Sequence, residues 1–175
     1  MRLGRRLRHC LPPLCMPWAI ASAQVVGSGR VVRIEGDTSG LPPSCRTSAA
    51  VAAINNWFRA VETGDTLLIA AGVSPRFRWI SVSPFTTSES GFTAGFWSDL
   101  RAYVERRARA HETLVLRSVV FTGWRNGALN FGPIYFERSA EDLGRVPLQG
   151  IGKAAYACGE GLIVLSVAPA YGPPK

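Results

Sequence analysis

The stretch TSAAVAAINNWFRAVETGDTLLIAAGVSPRFRW, residues Thr47–Trp79, decides the reading of the fold. Val51, Ile54, Phe58 and Val61 recur at helical spacing, and Ala50 and Trp57 widen the same stripe. Thr47 or Ser48 is in position to cap this helix. Gly64 follows its last turn, where a left-handed residue is needed. Asp65 is then placed to cap a second, short helix whose apolar side is Leu67, Leu68 and Ala71, and Gly72 stops it. The β-rich run RFRWISVS, Arg76–Ser83, lies between Pro75 and Pro84 and reads as a strand.

Beyond that stretch the period changes twice. Residues 84–95 form a Ser/Thr/Gly-rich loop flanked by Phe85, Phe92 and Trp97. A long helix is expected over Phe96–His111, with Phe96, Leu100, Tyr103, Val104, Ala108 and His111 on its apolar side and Arg101, Glu105, Arg106 and Arg109 in solvent. Thr113–Trp124 and Ala128–Arg138 alternate as strands around Asn126-Gly127, a strong hairpin signal. Gly132-Pro133 marks a bulge or an edge. Leu148–Cys158 and Leu162–Ala168 add two more strands. The expected class is α+β: a curved antiparallel sheet wrapped around two to three helices, a cone-shaped barrel.

Preceding all this, residues 1–23 read as a secretory signal peptide. MRLGRRLRHC is basic, a short apolar run follows, and Ala21-Ser22-Ala23 fits a cleavage site before Gln24. The run is too short to span a membrane, and no later segment reaches that length without charges, so no membrane span is expected. Residues 24–45 read as a linker in which Arg30–Glu35 adds an edge strand, 46–169 as one domain, and 170–175 as a tail. The location implied is secreted or periplasmic. Export would remove Cys10 and Cys15 and leave Cys45 and Cys158. In an oxidising compartment such a pair suggests a disulfide, with two buried free thiols as the alternative.

Charge and motif content narrow the function. The formal charge is +8, but without the signal 16 Lys and Arg face 12 acids, a net of +4 with no basic stripe. Nucleic acid is therefore not the expected partner. His111 is the one histidine left after His9 is removed, and at a helix C-terminus an imidazolium complements the dipole. Metal ligation needs clustered His, Cys, Asp or Glu, and Glu141-Asp142 is a solvated loop pair, so no metal site is assigned. Nucleophile elbows, phosphate loops and dinucleotide fingerprints do not occur, and no cofactor is expected.

The motif W-F-x-A-V-x-x-G-D followed by S-P-R-F-R-W, carried by Trp57, Phe58, Ala60, Val61, Gly64, Asp65, Ser74, Pro75, Phe77 and Trp79, resembles the nuclear transport factor 2-like superfamily over about residues 47–168. That group includes ketosteroid isomerase and the polyketide cyclases. The resemblance implies a cone enclosing a pocket, and frequent dimers through the outer face of the sheet. It also implies a catalytic Tyr on the first helix, a general-base Asp on the first strand and an Asp oxyanion donor on a later strand. Those positions hold Trp57, Ser81 and Asn130 here, so isomerase chemistry lacks its base.

Aromatic residues are the remaining signal. The expected site is an apolar pocket lined by Trp57, Trp79 and Tyr103, with Ser81, Arg117 and Asn130 orienting a ligand. The leading function is an exported, non-catalytic domain that binds a small apolar ligand or a protein partner. The alternatives are a polyketide-cyclase or isomerase-like enzyme with rearranged groups, and an assembly module that forms a homodimer.

Overall fold

The structure, a computed structural model, describes residues 23–27, 30–43, 45–81, 92–143 and 147–169. The expected signal peptide (apart from Ala23), Phe85 in the Ser-rich loop and the tail 170–175 lie outside the described residues. Strands β1 (Ala23–Gly27) and β2 (Arg30–Glu35) precede helix α1 (Thr47–Thr63) and the single-turn α2 (Leu67–Ala70). Then come β3 (Val73–Ser81), β4 (Phe92–Ala94), α3 (Trp97–Arg109), β5 (Thr113–Arg125), β6 (Ala128–Ser139), β7 (Leu148–Ala157) and β8 (Gly161–Pro169). A 3-10 turn, Glu141–Leu143, sits between β6 and β7.

Helix α1 buries Ala50, Val51, Ala53, Ile54, Trp57, Phe58, Ala60 and Val61, which is the stripe read from the sequence. Gly64 ends it at φ 76°, and its N–H donates to the Ala60 carbonyl at 2.8 Å. At the start of the helix the expectation fails. Arg46 is the N-cap and no side chain caps α1, so neither Thr47 nor Ser48 does so. Asp65 does accept the Leu67 N–H, at 2.9 Å, at the head of α2. Within α2 it is Ile69 that is buried, while Leu67 is 79% exposed.

Among the described residues the strands form one sheet in the order β1-β2-β5-β6-β7-β8-β3-β4. β5 to β8 are a run of antiparallel neighbours, as expected. The expected α+β class, a curved sheet wrapped around the helices, holds, and among the described residues that sheet is mixed and open where an antiparallel one was expected. β2 runs parallel to β5, and β3 parallel to β8. Parallel neighbours need long crossovers, and the helices supply them: α1 and α3 lie between β2 and β5 in the chain. The segment expected as linker thus contains β1 and β2, and β2 lies one place in from the sheet edge rather than at it.

The Asn126-Gly127 turn has positive φ at both residues, 52° and 76°, the two-residue turn whose twist matches the strands it joins. The β6–β7 register shifts between Phe131 and Ile134, so Gly132-Pro133 is the bulge the sequence signals. A disulfide joins Cys45, just ahead of α1, to Cys158, just after β7, with Cα atoms 5.2 Å apart. The core lies between the concave face of the sheet and α1 with α3. Phe58, Phe77, Phe136, Ile54, Leu114 and Leu129 are among its fully buried side chains.

Candidate functional site

The centre of the cone gathers four of the expected site residues. Trp57 comes from α1, Trp79 and Ser81 from β3, and Tyr103 from α3. The Trp57 ring stands 5.2 Å from Trp79 and 6.5 Å from Tyr103, and Trp79 stands 5.6 Å from Tyr103. Phe77 closes the group edge-on to Trp57 at 5.0 Å. All four site residues have no exposure. A side chain without accessible surface borders neither solvent nor a water-sized void, so among the described residues these aromatics pack against one another. Among the described residues the Trp57 and Trp79 indole N–H groups have no acceptor, each at a cost of about 1–3 kcal/mol.

Beside these rings lies a buried polar chain that sequence reasoning missed. Arg138 on β6 donates through Nη1 to Ser81 Oγ at 3.1 Å and through Nη2 to the Tyr103 hydroxyl at 3.4 Å. Its Nε donates to Glu112 Oε1 at 2.6 Å, and Nη2 also reaches Glu112 Oε2 at 3.2 Å. Arg107 on α3 donates Nε to the same Glu112 Oε2 and forks onto Asp142, at 2.6 and 2.8 Å. Burial works against the Arg138 charge, the Tyr103 and Glu112 oxygens favour it, and the net direction is upward. The hydrogen bonds from Arg107 hold the Asp142 carboxyl below its ordinary range. Asp142 is therefore ion-paired, and its loop position does not leave it simply solvated.

Two patterns in the sequence carry this chain of charges. Arg107 continues the Leu100, Tyr103, Val104 stripe of α3, all of it buried. Arg138 continues the inward alternation Ile134, Phe136. Both are charges on an apolar period, which needs a buried partner.

Arg117 and Asn130 do not join the cluster. Both lie at outward positions of the strand alternation: Arg117 follows the buried Leu116, and Asn130 lies between the buried Leu129 and Phe131. Arg117 instead pairs with Glu137 at 2.5 Å, which together with Gln149 lowers the Glu137 carboxyl. Asn130 donates Nδ2 to the Ala128 carbonyl at 3.1 Å. His111 takes a left-handed conformation, φ 50°, just past α3, and its Nδ1 lies 2.8 Å from Glu141 Oε1 on the surface. Among the described residues no three of His, Cys, Asp and Glu gather as a metal set. No helix among them is long and apolar enough to cross a membrane.

Where the cone is closed, its flank is open. A cleft of about 420 Å³ runs between β3 and the first turn of α3. Val73, Pro75 and Phe77 form one wall, Trp97 and Leu100 the other, and Ala70 of α2 one end. Trp97 is 45% exposed there, and its neighbour Phe96 is 77% exposed, out of the core in which the sequence places it.

No protein-family model matches the sequence, and no curated protein does. Solved structures do match the fold. A putative calcium/calmodulin-dependent protein kinase II association domain from Xanthomonas campestris superposes with a TM-score of 0.54 at 15% identity, over 79% of this chain and 97% of that one. A nuclear transport factor 2-like protein from Burkholderia pseudomallei gives 0.52 at 12% identity, over 71% and 92%. The orange carotenoid protein of Anabaena, in a structure binding canthaxanthin, gives 0.55 at 10% identity, over 70% of this chain and 37% of that much longer one. Helices packed in a curved mixed sheet, the element order and these neighbours together show that the chain has the fold of nuclear transport factor 2-like proteins.

Proposed function

We propose that this chain is an exported, non-catalytic binding module that takes a small apolar ligand in the cleft between β3 and α3. The observation that carries the reading is the exposure of Trp97 on an apolar cleft of about 420 Å³. That size falls within the usual range for small-molecule sites, and exposed large apolar side chains grouped together mark binding surfaces. The site differs from the one expected in the cone, whose aromatics are packed against one another. A non-catalytic role is supported by the commitment of the interior charges to each other: both oxygens of Glu112 accept guanidinium N–H groups. Export is supported by the basic, apolar and Ala-Ser-Ala succession of residues 1–23 and by the Cys45–Cys158 disulfide.

The test is uptake of a panel of hydrophobic compounds, read by tryptophan fluorescence and native mass spectrometry. Trp97→Ala is expected to abolish uptake, while Trp124→Ala, another exposed tryptophan, leaves it unchanged. Uptake by the Trp97→Ala protein equal to that of the wild type would overturn the proposal. A second reading, self-association through the outer face of the sheet, is favoured by one pair. Tyr135 and Ile151 face each other across β6 and β7 and are 47% and 40% exposed. A dimer dispersed by Ile151→Glu would establish it.

A further inference from the structure

We infer that the outer face of the sheet carries a separate site for a small anion, a carboxylate or phosphate group, held by Arg125, Lys153, Asn130 and Ser166. The strands make the hollow. The β5–β6 register shifts between Phe121 and Gly123, and the β6–β7 register shifts between Phe131 and Ile134. Two irregularities on neighbouring strands bend the face locally and open a cleft of about 450 Å³. Val164 and Ala155 floor it, and no carboxylate lines it.

Among the described residues the two cations beside it lack a carboxylate partner, unlike several other surface arginines. Arg33 pairs with Glu35, Arg76 with Glu160 and Arg117 with Glu137. Among the described residues neither Arg125 nor Lys153 has such a partner. The Lys153 stem passes over Gly132, where an added Cβ would come within 3.1 Å of Lys153 Cγ. Asn130 spends one amide hydrogen on the Ala128 carbonyl and keeps the other. Thr122 donates to the Asn130 carbonyl and is not a ligand, whereas the Ser166 hydroxyl is free to donate. Two cations and two neutral donors around an apolar floor suit an anionic head on a small organic body, with charge-assisted hydrogen bonds to the head. Nothing in this assignment rests on the Trp97 cleft.

Isothermal titration at near-physiological salt tests the site with three probes: benzoate, phenyl phosphate and neutral benzyl alcohol. Saturable one-to-one binding of at least one anion, and none of the alcohol, is the expected result. Lys153→Gln and Arg125→Gln are each expected to weaken it by about tenfold, the scale of one charge-assisted contact. Arg101→Gln, an exposed charge on α3, should leave it unchanged, as should Trp97→Ala. Thermal melts of each variant confirm that it is folded. Absence of saturable anion binding, equal binding of the alcohol, or undiminished binding by both Lys153→Gln and Arg125→Gln would overturn the site.

Discussion

Glu112 and Arg138 form a two-point contact inside the protein, Nε to Oε1 at 2.6 Å and Nη2 to Oε2 at 3.2 Å, with the carboxylate side chain wholly buried and the guanidinium only 6% exposed. Arg107 engages the same carboxylate from α3 and Asp142 as well, so Glu112 is shared between two buried cations. This ties the C-terminal end of α3 to the far end of β6. Glu112→Gln removes the shared counter-charge and leaves both guanidiniums buried. Breaking such an arrangement typically costs about 3–5 kcal/mol. Urea denaturation should show a loss on that scale, and a loss below about 1 kcal/mol would mean that water replaces the carboxylate.

Asp142 gives the network a dependence on acid. Its carboxyl is held below its ordinary value, chiefly by the Arg107 hydrogen bonds. A group whose folded value is depressed contributes stability that is fully present above its unfolded value, near pH 4, and lost as the pH falls through the folded value. Wild type should therefore exceed Asp142→Asn in melting temperature by a constant gap above about pH 5, and the gap should close on further acidification. A gap unchanged down to about pH 2 would contradict the pairing.

Gly150 lies against a ring. It is paired with Phe136 across β6 and β7, and an added Cβ would fall 2.2 Å from the Phe136 ring, which is fully buried. The ring cannot swing away from a packed core. Gly150→Ala should destabilise by about 1–3 kcal/mol, the usual range for overpacking. Gly127→Ala, at a turn with open space around it, is strained by its φ of 76° but clashes with nothing. Denaturation midpoints of the two variants separate these causes.

The Cys45–Cys158 bridge closes a loop of 113 residues. On the chain-entropy view such a loop contributes up to about 5 kcal/mol by restricting the unfolded chain. Cys45→Ser/Cys158→Ser should lose most of that in urea, and the wild type should lose the same on reduction. Equal stability with and without reductant would mean the bridge is not formed in solution.

The parts of the fold legible in the sequence are the ones governed by local rules. The α1 stripe, Gly64, the Asn126-Gly127 turn and the bulge at Gly132-Pro133 each follow from a few neighbouring residues. The parallel pairings β2–β5 and β3–β8 join residues more than 80 positions apart, such as Arg33 with Ser118 and Arg78 with Val164, and no local pattern records which strand meets which. Phe96 and Leu67 show the limit of periodicity at helix ends: both sit on apolar stripes, and both are exposed. At the site, Trp57, Trp79, Tyr103 and Ser81 do come together, but whether four residues enclose a cavity or fill it depends on volumes that one-dimensional spacing does not carry. Arg107 and Arg138 were readable as charges on buried periods. Their common partner Glu112 was not, since it lies in the short connection between α3 and β5.

The most direct test of the binding reading is native mass spectrometry of residues 24–175 recovered from an oxidising compartment, alone and after exposure to hydrophobic compounds, with Trp97→Ala beside it. The reading predicts a mass lighter by two hydrogens for the disulfide and one ligand per chain, lost in Trp97→Ala. A protein that retains and takes up no compound, or one whose uptake is indifferent to Trp97, would contradict it.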